Sequence, residues 1–152
     1  MFLFLAWGYL PSRFPDLFRD VRKNASRPEI GNAVERITRS LAGSLEILKP
    51  FPGSSLSTLV VKDGQGRSRI LYLDKDPGGS APSSATPTMT LYSYSEPASG
   101  GFDIRNREEV CRDFHEITFT ALTPKVVLVQ MTIRDGSGTE LGYAAEIPLH
   151  PR

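Results

Sequence analysis

The hydrophobic period of this chain changes once, at Gly53, and that change restricts the fold more than any other feature. Before it, Ile30, Val34, Ile37, Leu41, Leu45 and Leu48 recur in steps of four and three, the repeat of one helical face. Asn32, Glu35, Arg36, Arg39 and Ser40 lie on the opposite face, and Glu35 stands four residues before Arg39, a favourable ion-pair spacing. Ser26 with Glu29 makes a capping box, and Pro28 fits a first helical turn. Pro50 and Pro52 end the run. The spacing therefore predicts an amphipathic helix over residues 26–49.

After Gly53 the period is two. Leu56–Lys62 and Arg67–Asp74 flank Asp63-Gly64-Gln65-Gly66 and read as a hairpin. Met89–Ser95 alternates again, and Lys125–Arg134 alternates best, through Val127, Val129, Met131 and Ile133. The chain turns at Asp135-Gly136-Ser137-Gly138 and returns through Leu141–Leu149. Between these runs, residues 75–88 and 96–101 are Pro-, Gly- and Ser-rich loops. Phe102–Thr120 is ambiguous: Val110 and Phe114 fit one helical turn, while Ile117–Thr120 is strand-like. A sheet needs one face covered, and the Ile30–Leu48 stripe is apolar enough to cover it. The expected class is α+β, a long N-terminal amphipathic helix, kinked near Pro28, packed on an antiparallel meander of five or six strands. One domain spans 1–152, with an N-terminal segment over 1–25 and the sheet over 54–150.

The N-terminal segment carries its own constraint. Met1–Leu10 (MFLFLAWGYL) is uncharged and almost wholly apolar, yet half the roughly 20 residues a membrane-spanning helix needs. It lacks the basic region and cleavage site of a secretory signal. Three readings remain open from the residues: a buried segment, an interfacial anchor, or the tail of a longer hydrophobic helix. Phe14, Leu17, Phe18, Val21 and Ala25 continue at helical spacing.

Charge and motifs exclude much. Eighteen basic and seventeen acidic residues are interspersed and sum to +1, so no strong field favours nucleic acid. Cys111 has no intrachain disulfide partner. Cys111 and His115 stand four apart but fall short of a zinc spacing. Asp74-Lys75-Asp76 begins like a calcium loop, but Ala85 occupies the position of the bidentate acid. Asn24-Ala25-Ser26 is a short glycosylation sequon. No nucleophile elbow and no nucleotide-binding glycine loop occurs. The sequence predicts no enzyme, no cofactor and no metal.

The order of features resembles the type IV pilin-like proteins, most of all the minor pseudopilins of type II secretion or competence systems. MFLFLAWGYL stands where that family's hydrophobic helix ends, and NAVERITRSLAGSLEI (Asn32–Ile47) stands for its amphipathic half. LSTLVVKDGQGRSRILYLD, TLYSYS, EEVCRDFHEITFTA and KVVLVQMTIRDGSGTELGYAAEIPL follow in the order of its strands. The family's processed start, with Phe-Thr-Leu-Ile-Glu or similar, is not in this sequence, which implies a hydrophobic helix that begins upstream of Met1. The resemblance implies a non-enzymatic assembly subunit of a pilus-like fibre for secretion, DNA uptake or adhesion. It implies partners among other pilin or pseudopilin subunits through the N-terminal helix, with the membrane as host before assembly. Phe2, Phe4, Trp7, Leu10, Phe14, Phe18 and Val21 are the expected subunit contacts. The implied location is a bacterial inner membrane and periplasm, or a surface fibre. The competing expectation is a membrane-tethered or periplasmic binding module that uses the loops 75–88 and 96–101.

Overall fold

The computed structural model describes residues 28–75, 88–98, 100, 103–134 and 137–150. Within them, helix α1 (Pro28–Leu41) precedes eight strands: β1 (Ser44–Lys49), β2 (Ser55–Leu56), β3 (Leu59–Asp63), β4 (Ser68–Lys75), β5 (Met89–Ser95), β6 (Arg107–Thr123), β7 (Val126–Arg134) and β8 (Glu140–Pro148). All pairings are antiparallel, in the spatial order β1-β3-β4-β5-β6-β7-β8, and β2 pairs with β6.

This architecture corrects the expected one. The described residues are mostly β, with a single 14-residue helix and eight strands, where a long helix on five or six strands was predicted. The helix stops because Gly43 adopts φ +81°, a left-handed conformation that glycine enters without a Cβ clash. Ala42 N–H tightens the last turn onto the Arg39 carbonyl (3.2 Å), and Gly43 N–H donates to the carbonyl of His150 (3.1 Å). Leu45 and Leu48 thus belong to β1. They are not its inward residues: Leu45 is exposed and Leu48 half-buried, while two register shifts against β3, one between Ser44 and Glu46 and one between Ile47 and Lys49, turn Ser44 and Ile47 into the core.

β6 organises the sheet. Its first half pairs with β5 and its second with β7, while β2 pairs with Phe119 and Thr120. A seventeen-residue strand bends to do this, and the bend appears as Asp113 at φ +67° and a register shift between Phe114 and Glu116. The inward residues Val110, Phe114 and Ile117 fall four and three apart for that reason, and the first of these intervals is the one that suggested a helical turn.

The core is one cluster. Leu59, Val61, Leu71, Leu91, Phe114, Phe119, Ala121, Val127 and Val129 supply the sheet side, and Ile30, Ala33, Ile37 and Leu41 supply the helix side. Burying Ile30, Ile37 and Leu41 stabilises the helix–sheet contact by about 1.5–3 kcal/mol per side chain. Polar anchors fix the angle. Arg36 donates to the Val110 carbonyl (3.3 Å), and Arg69 donates to the Ser40 carbonyl near the end of α1 and to Ser95 Oγ (3.2 Å). Glu35 and Arg39 form the predicted pair, at 2.6 Å, on the exposed face.

Candidate interaction surfaces

Three surfaces carry the groups available for recognition. The first is the seam where α1 crosses β6. Two adjoining clefts there, of about 320 and 260 Å3, are lined by Arg36, Arg39 and Ser40 from the helix and Glu109, Cys111 and Arg112 from the strand. Two of the strand charges neutralise each other. Arg112 donates to both Glu109 carboxylate oxygens (2.7 Å each), and this contact holds the Glu109 carboxyl below its ordinary value. Burial pushes the Cys111 thiol up, so it is a poor nucleophile at neutral pH.

The second surface is an aromatic and charged layer across β4, β5 and β6. Tyr72 and Tyr92 are paired across the strands with ring centroids 6.2 Å apart, and the Arg107 guanidinium lies 3.9 Å from the Tyr92 centroid. Arg107 also donates to Asp74 Oδ2 (2.7 Å). That bond, with the Lys75 N–H on Oδ1 (2.8 Å), lowers the Asp74 pKa, and the same pairing raises that of Arg107. Asp74, the first acid of the calcium-like stretch, is thereby paired with an arginine. The remainder of that stretch, residues 76–87, lies outside the described residues.

The third surface is apolar and surrounds β2. Phe51 (67% exposed), Leu56 and Leu122 are accessible, and the segment is tied down by Gly53 N–H to the Ala121 carbonyl (2.9 Å) and by the Ser55–Thr120 hydroxyl pair (2.7 Å). Spacing alone did not single out Phe51; its position directly after Pro50, in a break between periodic runs, was the available signal.

The sequence-predicted contacts Phe2, Phe4, Trp7, Leu10, Phe14, Phe18 and Val21 lie outside the described residues, as does the sequon at Asn24. Most of the loop 75–88 does too. Cys111 and His115 both fall on β6, the latter at the register shift, where its Nδ1 is buried and has no hydrogen-bond partner among the described residues. Among the described residues no three His, Cys, Asp or Glu side chains are placed to share a metal ion, and no helix is long and apolar enough to cross a membrane. No protein-family model, no curated protein and no solved structure matches the chain.

Proposed function

We propose that this protein is a non-enzymatic assembly subunit of a type IV pilus-like fibre, a minor pilin or pseudopilin. The observation that carries the reading is a division of labour along the chain. α1 is committed to the sheet through Ile30, Ala33, Ile37 and Leu41 and held there by Arg36 and Arg69. The apolar run Met1–Leu10 precedes this rigid unit and carries no charge. Ten such residues left in water would be an aggregation hazard, and burial in a bilayer or against neighbouring subunits relieves it at about 25 cal/mol per Å2. The clefts at the α1–β6 seam are open, and Arg112 and Glu109 within them are paired with each other, which fits a packing role better than a reaction centre.

The test is fractionation of cells that make the protein. Wild type is expected in the membrane fraction and, after assembly, in the sheared-fibre fraction. Trp7→Asp together with Phe4→Asp moves it to the soluble fraction. A wild-type protein found wholly soluble, or a double variant that fractionates like wild type, overturns the proposal.

A further inference from the structure

The end of the sheet where β6 turns into β7 is crowned by apolar side chains that the fold leaves in water. Phe51 (67% exposed), Leu56 (46%) and Leu122 (42%) are the most exposed large apolar side chains among the described residues. Backbone hydrogen bonds bring their segments together. Ile47 N–H donates to the Pro124 carbonyl (2.8 Å), and further along Gly53 N–H donates to the Ala121 carbonyl (2.9 Å), so the chain from β1 to β2 wraps the β6–β7 turn. Phe51 is held outward by a turn of its own. The Ser54 N–H (2.9 Å) and the Ser54 hydroxyl (2.7 Å) both donate to its carbonyl. Pro52 and Gly53, the latter at φ +82°, occupy the central positions, the arrangement of a type II turn. Proline and glycine fix the backbone there, so the exposure of Phe51 is built into the fold.

The charges at this end have one sign. The stretches 49–58 and 121–125 carry Lys49 and Lys125, both exposed, and no acid. Neither lysine makes an ion pair among the described residues. The acid nearest to Lys49 along the chain, Glu46, stands opposite Lys62 on β3, and Glu146 of β8 stands opposite Leu128, further into the sheet.

We infer that this end docks on the surface of an anionic phospholipid bilayer. Phe51, Leu56 and Leu122 enter the interface, and Lys49 and Lys125 meet the lipid phosphates, the pairing of apolar side chains with lysines that interfacial binding uses. A protein partner fits this end less well. Protein interfaces favour Tyr, Trp and Arg and disfavour Lys, and the two stretches contain lysine and none of those three. Three apolar side chains and two lysines make a weak contact that salt reverses, and it stands apart from fibre assembly.

The experiment uses the full chain with Trp7→Phe and Phe51→Trp, which makes position 51 the sole tryptophan. It is titrated with phosphatidylcholine vesicles containing about 30 mol% phosphatidylglycerol, at about 0.1 M salt. The expected result is a blue shift of the emission and its quenching by lipids brominated near the interface. Lys49→Gln and Lys125→Gln, added singly to this chain, should each weaken the titration about fivefold, the share of one lysine beside an anionic surface. Emission at position 51 that stays water-exposed in vesicle-bound chain overturns the inference, because Met1–Leu10 then accounts for the binding. A titration indifferent to both lysines overturns it too. So does a blue shift that grows with protein concentration in the absence of lipid, which assigns the end to a second copy of the chain.

Discussion

Asp63 organises the β3–β4 turn, and its removal should have a measurable, pH-dependent cost. The carboxylate is 8% exposed as a residue, and it accepts hydrogen bonds from Gln65 N–H (2.9 Å), Arg67 N–H (2.9 Å) and Arg67 Nε (3.1 Å). Burial alone pushes this acid up, but the Arg67 and Gln65 amides and the Arg67 guanidinium outweigh it and hold the carboxyl below its ordinary value. Asp63→Ala strands two backbone donors at a partly wet turn and abolishes the ion pair. At about 1 kcal/mol for each backbone bond, with little left for a screened ion pair, the cost is about 2–3 kcal/mol. That corresponds to a Tm lowered by about 5–10 °C for a chain of this size. Asp63→Asn keeps one acceptor oxygen for both amides and should cost about 1 kcal/mol. The sign of the pH dependence follows from the depressed pKa: the charged group stabilises the fold above its unfolded value, near 3.9, and this contribution is lost as pH falls through the lower folded value. Urea unfolding of the three proteins from pH 7 to pH 2.5 measures both effects. Equal stabilities of the alanine and asparagine variants at pH 7, or a wild-type advantage over asparagine that persists unchanged to pH 2.5, would refute the reasoning.

Two further predictions concern the helix and the thiol. Ile37→Ala, at a fully buried position on α1, should cost about 3 kcal/mol in chemical denaturation, whereas Val34→Ala, only partly buried, should cost about 1; equal costs would mean that α1 does not dock through the Ile37 face. Cys111 should react with iodoacetamide at pH 7.5 at least about tenfold more slowly in the folded protein than in 6 M guanidinium, because burial raises its pKa.

How much of this was legible in the sequence depended on whether backbone irregularities intervened. Lys125–Arg134 alternates without a bulge and forms β7 nearly as bounded, and Met89–Ser95 is β5 residue for residue. The Asp63–Gly66 turn was legible because its glycines and acid are the turn chemistry itself. The reading failed where bulges altered the spacing. Leu41, Leu45 and Leu48 keep a helical interval across a helix end and two register shifts, and the one discordant signal, Gly43 inside the run, is the helix terminator. Val110 and Phe114 reproduce the same false interval inside a bent strand, whereas Ile117–Thr120 read correctly as strand. β2 was read as the start of the hairpin strand because Leu56 and Leu59 are continuous in sequence. They pair with different partners, Phe119 and Leu71, and nothing local specifies that exchange. Of the surfaces, the Tyr72–Tyr92–Arg107–Asp74 layer depends on cross-strand register and was not legible.

The most direct test of the assembly reading is site-specific photo-crosslinking at Phe4 or Trp7 in cells that make the protein. The account predicts an adduct to another fibre subunit, recovered in the sheared-fibre fraction and lost when assembly is blocked. A cross-linker at both positions that yields only products within the chain, in protein recovered from the soluble fraction, would contradict it.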